Sequence, residues 1–92
     1  MKQVILYSME GCPWCSMMKD VLKQENIEYR ERDIEVYKKE YDKFVEATEN
    51  EYVPAFMLFE TDGKSVTNVK LMAPERDYNE VHEAVEKVKN YL

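Results

Sequence analysis

Tyr7-Ser8-Met9-Glu10-Gly11-Cys12-Pro13-Trp14-Cys15 is the stretch on which the reading of this chain turns. The apolar run before it, Val4 to Tyr7, suits a strand buried on both faces. Beyond it, from Pro13 to Glu25, Met18, Val21 and Leu22 recur at helical spacing between Lys19, Asp20, Lys23 and Gln24. Strand therefore gives way to helix at the two cysteines themselves. A thiol at a helix start faces unpaired backbone N–H groups and the positive end of the dipole, which favour its thiolate. Cys12 thus reads as a nucleophile. Pro13 opens the helix without sacrificing a needed donor. Cys15, three residues on, returns beneath Cys12 within bonding range and reads as the thiol that resolves a mixed disulfide. Nearby, Glu10 disfavours the thiolate, while Lys19, one turn beyond Cys15, supports it modestly.

Working outward, Asn26 is a helix stop, and Ile27, Tyr29 and Ile34 among charged residues suggest a second, more exposed strand. Tyr37, Tyr41, Phe44, Val45 and Thr48 follow the spacing of an amphipathic helix with Lys38, Lys39, Glu40, Asp42 and Lys43 on its wet face. Pro54 opens an apolar strand, Ala55 to Phe59. Thr61-Asp62-Gly63-Lys64 then turns it into Ser65 to Leu71, a hairpin. Pro74 with Glu75 and Asp77 predicts the start of a last helix striped by Tyr78, Val81, Val85, Val88 and Leu92. The order is βαβ followed by ββα. It gives a four-stranded mixed sheet flanked by three helices, an α/β fold, with the cysteines at the C-terminal edge of the first strand, where open α/β sheets place their sites.

Ninety-two residues make one domain, 1–92, with no internal repeat or linker. A net charge of −6 works against phosphate backbones and anionic lipid, so no nucleic-acid partner is expected. The longest apolar stretch, Val53 to Phe59, contains a proline and falls far short of the roughly 20 residues that a spanning helix needs, so no membrane crossing is expected. The N-terminal residues do not read as a secretory leader, which points to a reducing cytoplasm. Two glycines, Gly11 and Gly63, exclude a glycine-rich nucleotide loop, and two cysteines with one histidine fall short of a four-ligand zinc site. In that setting a lone CxxC reads as redox chemistry. His82 has no companion at ligand spacing and is assigned no role.

At Tyr7-Ser8, Cys12-Pro13-Trp14-Cys15 and Lys19 the sequence resembles the glutaredoxins, within the wider thioredoxin-fold group. Tyr52-Val53-Pro54 is similar to that family's Thr-Val-Pro turn. The resemblance implies a cis Pro54 facing the cysteines, and a Val53 backbone that pairs with an extended substrate strand, a form of strand addition. It implies a thioredoxin-like fold and a dithiol-disulfide oxidoreductase that needs no bound cofactor, with substrate contacts at Pro13, Trp14, Tyr52, Val53 and Pro54. Trp14, between the two cysteines at a helix start, reads as substrate-facing in preference to core, and Tyr52 equally as substrate-side or as a cap on the core.

Two positions depart from the family. Its usual Lys three residues before the first cysteine is Met9 here, and its Gly-Gly-x-Asp stretch is Met72-Ala73-Pro74-Glu75, in which Pro74 lacks an N–H. The long hairpin is more similar to thioredoxin. The electron donor therefore stays open between glutathione and a flavoprotein thioredoxin reductase. The expected partners are disulfide-containing proteins, ribonucleotide reductase among them as in the family, and the expected state is a monomer. A reading of a different class, a non-enzymatic metal or cluster module on the same two cysteines, would show itself by a bound stoichiometric metal.

Overall fold

A computed structural model describes all residues, 1–92. Its elements run β1 (Lys2–Ser8), α1 (Pro13–Gln24), β2 (Arg30–Asp33), α2 (Lys38–Thr48), β3 (Ala55–Thr61), β4 (Val66–Met72) and α3 (Val81–Tyr91). The sheet order is β2-β1-β3-β4, with β1 parallel to β2 and antiparallel to β3, and β3 antiparallel to β4. This is the mixed sheet that the βαβ and ββα pattern predicts. Alternation along β1 sends Val4 and Leu6 to one face and Ile5 and Tyr7 to the other. The first pair joins Phe56, Leu58 and Met72 beneath Met18 and Leu22 of α1 and Val85 and Val88 of α3. The second joins Ala55 and Ala73 beneath Tyr41 and Phe44 of α2. β1 is thus apolar throughout because helices cover both of its faces.

Local chemistry sets the element ends. Asn26 takes a left-handed φ of 57° just past α1. The Ile27 N–H then reaches back to Leu22 O at 3.0 Å and that of Asn26 to Lys23 O at 3.1 Å, a Schellman closure that also buries Ile27 against the core. At the hairpin, Asp62 Oδ1 accepts the N–H groups of Lys64 and Ser65, both at 2.9 Å, and Gly63 supplies a φ of 93°. A register shift between Leu58 and Glu60 bends β3 against β4.

The last helix starts later than its sequence signals predict, at Val81 rather than at Pro74. Asp77 and Glu75 are spent on a turn. The Asp77 carboxylate accepts the Ala73 N–H at 2.9 Å, the Asp77 N–H donates to Ala73 O at 3.0 Å, and Glu75 sits at φ 70° with its N–H on Tyr78 O. The acidic residue that serves α3 itself is Glu83, which accepts the Asn79 N–H at 2.7 Å. The second strand is also shorter than the apolar markers Ile27 and Ile34 suggest, since pairing with β1 runs from Arg30 to Asp33 only. Tyr37 lies at the cap of α2, largely exposed, with Arg32 over its ring at 5.0 Å.

Phe56 is fully buried, its ring edge-on to Tyr78 with centroids 6.3 Å apart. Phe56→Ala should cost about 3 to 5 kcal/mol of unfolding free energy, measured by denaturant titration, because the cavity sits between α1, α3 and the sheet centre.

Candidate active site

β1 delivers the chain to the site, and the loop Met9 to Gly11 turns it into α1 with Gly11 at φ 78°. Cys12 is the N-cap of that helix, with extended backbone (φ −93°, ψ 108°) and Pro13 in the first turn. Its Sγ accepts the Cys15 N–H at 3.2 Å, the position a serine or aspartate oxygen takes at an ordinary cap. Its carbonyl accepts the Ser16 N–H at 3.2 Å and its own N–H donates to Met9 O at 3.3 Å. The sulfur is therefore fixed where a donor meets it, on a half-buried residue with a path to solvent. Cys15 is different, with 2% of its surface exposed. Burial, and then a hydrogen bond with Cys12, push its thiol well above the ordinary range, against the opposing pull of a backbone hydrogen bond from Met9 and of the Lys19 charge. One thiol is presented and the other is kept protonated. Both are free cysteines.

Beside them lies a cavity of about 300 Å³ whose walls include Ser8, Met9, Glu10, Lys19, Glu31 and Asp33. Lys19 acts on the thiols only through its charge, which draws Cys15 modestly downward, while its ammonium is bonded elsewhere. Its Nζ pairs with Glu31 at 3.0 Å, and the buried Ser8 hydroxyl donates to the same carboxylate oxygen at 2.7 Å. The Ser8 bond first and the Lys19 bond second hold the Glu31 carboxyl below its usual range. Most of the charge that Lys19 carries is thus answered from β2.

The other wall of the site comes from β3. The register Tyr7 to Ala55 sets Pro54 beside the Ser8 end of β1, at the sheet end where the cysteines sit. The Val53–Pro54 bond is cis. Pro54 is buried, Val53 half-buried and Pro13 exposed. Trp14, 48% exposed, and Tyr52, 57% exposed, both belong to the surface rather than to the core. The N–H and C=O of Val53 take part in no hydrogen bond. The groups around them do: Tyr41 Oη donates to Glu51 O at 2.7 Å, Asn50 Oδ1 accepts the Tyr52 N–H at 2.9 Å, and Tyr78 Oη donates to Pro54 O. Asn50 Nδ2 also donates to Pro74 O at 2.7 Å. Tyr41, Asn50 and Tyr78 carry no motif, and each acts across 2 to 24 positions of sequence. No group of three or more His, Cys, Asp or Glu side chains converges as metal ligands would.

A family model described as Glutaredoxin matches residues 4–66. Two similar solved structures are titled as crystal structures of the thioredoxin-like protein BC3987 and of a point mutant of it. The first has a TM-score of 0.59 at 20% identity, over 98% of this chain and 100% of that one. The second has a TM-score of 0.58 at 19% identity, over 96% of each chain. At those identities the likeness is one of fold, and the fold is thioredoxin-like. A search among curated proteins found no match.

Proposed function

This chain belongs to the glutaredoxin family, whose general activity is thiol-disulfide exchange, and from that premise we propose that it reduces protein disulfides through Cys12 and Cys15. The observation that carries the reading is the asymmetry of the two thiols: Cys12 Sγ at a helix cap with a route to solvent, and Cys15 buried and holding its proton. In the first step the Cys12 thiolate attacks one sulfur of a substrate disulfide. An S–S bond forms, the substrate S–S bond breaks, and the departing sulfur leaves as a thiolate that takes a proton. In the second step Cys15 gives up its proton and attacks Cys12 Sγ, so the mixed disulfide breaks and the second substrate sulfur departs. Two electrons have then passed to substrate, and a Cys12–Cys15 bond remains.

The unpaired N–H and C=O of Val53, beside the buried Pro54, support a polypeptide substrate that adds as a short strand. The exposed Trp14 and Tyr52 offer it apolar area, with Pro13 between. Protein disulfides, that of a ribonucleotide reductase included, are the proposed substrates, and a monomer in the cytoplasm is the proposed working form. No helix is long and apolar enough to cross a membrane.

Glutathione is the weaker of the two candidate donors. Met9, 42% exposed, stands where the family holds a carboxylate-binding Lys. Pro74 has no N–H, and Glu10, Glu31 and Asp33 line the cavity beside Cys12. A missing charge-assisted hydrogen bond corresponds to about 1.5 to 3 kcal/mol, roughly 10- to 100-fold in affinity. Met9→Lys should therefore lower KM for glutathione by roughly tenfold, with the gain shrinking as salt is added. Coupled turnover with glutathione and its reductase, run against thioredoxin reductase, tests the assignment. Equal efficiency of the unaltered protein with glutathione and with thioredoxin reductase would overturn the argument from Met9 and Pro74.

A further inference from the structure

Between Glu51 and Pro54 three side chains take up polar backbone groups that a substrate strand could otherwise use. Tyr41, from α2, holds Glu51 O at 2.7 Å. Asn50 holds the Tyr52 N–H at 2.9 Å and, with its other end, Pro74 O at 2.7 Å. Tyr78, from the turn before α3, holds Pro54 O. The residue between them, Val53, keeps both its N–H and its C=O free. We propose that Asn50 and Tyr78 are positioning residues that fix the register in which a substrate strand pairs with this segment, by occupying the flanking groups and leaving Val53 open. The inference rests on the oxidoreductase reading and deepens it.

The geometry suits such a brace. Tyr78 is 2% exposed, so its hydroxyl has no ready access to water and would be left unpaired without Pro54 O. Burial, with Asp77 close by, keeps the phenol neutral and so a donor far above neutral pH. Asn50 joins the Pro54 segment to the Pro74 turn, so the two loops at this end of the sheet hold one another. The hydrogen bonds of both side chains go to backbone groups and none to a sulfur, although Tyr78 is near enough to Cys15 for their charges to interact.

The test uses the pre-reduced full chain in single turnover, with thiols counted by acid quench, alkylation and mass spectrometry. Insulin is the polypeptide disulfide and 2-hydroxyethyl disulfide the small one, which has no backbone to pair. Tyr78→Phe removes only the hydroxyl, and Asn50→Ala removes both of its bonds. Asn50→Asp restores an acceptor for the Tyr52 N–H. The expected result is a rise of roughly fivefold to tenfold in the half-saturating insulin concentration for Tyr78→Phe and Asn50→Ala, with partial recovery in Asn50→Asp. The limiting rate, the rate with 2-hydroxyethyl disulfide and the alkylation rate of Cys12 should stay within about twofold of the unaltered protein. If one variant fails to fold by circular dichroism, the other carries the same comparison. An unchanged half-saturation for insulin, or a parallel loss with both disulfides, overturns the positioning role alone. Failure of the unaltered protein to reduce either disulfide overturns the oxidoreductase reading, and this inference with it.

Discussion

Cys12→Ser should abolish disulfide reduction, lowering turnover of any disulfide by roughly a thousandfold or more, because no second nucleophile can take its place. The alternative thiol is Cys15, which is 2% exposed and whose proton is held by burial and by Cys12 itself. A hydroxyl at position 12 still caps α1, since a serine oxygen accepts an N–H as the sulfur does. The fold should therefore survive while the chemistry is lost. Denaturant titration of Cys12→Ser should give a midpoint close to that of the unaltered protein, and the activity assay should give a blank. The same asymmetry sets the order of alkylation: at neutral pH iodoacetamide should modify Cys12 well before Cys15. Faster alkylation of Cys15 would reverse the assignment of roles.

Cys15→Ser should accumulate the species that Cys15 normally clears. With the resolving thiol gone, attack by Cys12 stops at a mixed disulfide, so a stable one-to-one adduct with a protein disulfide substrate is expected by non-reducing electrophoresis and mass spectrometry. The unaltered protein should show almost none. Serine is slightly smaller and fits a site already adapted to a small side chain, so loss of the adduct could not be laid to unfolding if the far-ultraviolet spectrum is retained. Absence of any adduct in the folded variant would contradict the resolving role.

Much of this site is legible in the residues because its signals are local. The apolar run Val4 to Tyr7, the proline in the first turn after Cys12 and the apolar spacing of Met18, Val21 and Leu22 lie within two dozen positions and obey short-range rules. The Asp62-Gly63 turn is equally local, and the hairpin follows it closely. Lys19 shows where such rules stop. It sits where the family places a cation beside the cysteines, yet its charge meets Glu31, twelve positions away on β2. Pro74, Glu75 and Asp77 carry the chemistry of a helix start, but the same acidic groups can close a turn. The buried Tyr78 and its bond to Pro54 tie that turn down before α3 begins. Asn50 carries no periodicity and no motif, and the apolar stripe that includes Tyr78 predicts a helix face rather than a bond to Pro54, since the partners of both are set by tertiary packing between two loops. Trp14, between the cysteines at a helix start, reads as exposed and is, whereas Tyr52 reads equally as surface or core until the assembled sheet end leaves it outside.

The central claim is that Cys12 and Cys15 together pass two electrons to a substrate disulfide. Its most direct test is to mix the pre-reduced chain with one equivalent of a protein disulfide, quench with acid, alkylate and map the peptides. The account predicts that both cysteines become unavailable to alkylation, joined to each other in one peptide, as two substrate thiols appear for each chain oxidised. Recovery of Cys12 and Cys15 both fully alkylated, with the substrate disulfide intact, would contradict it.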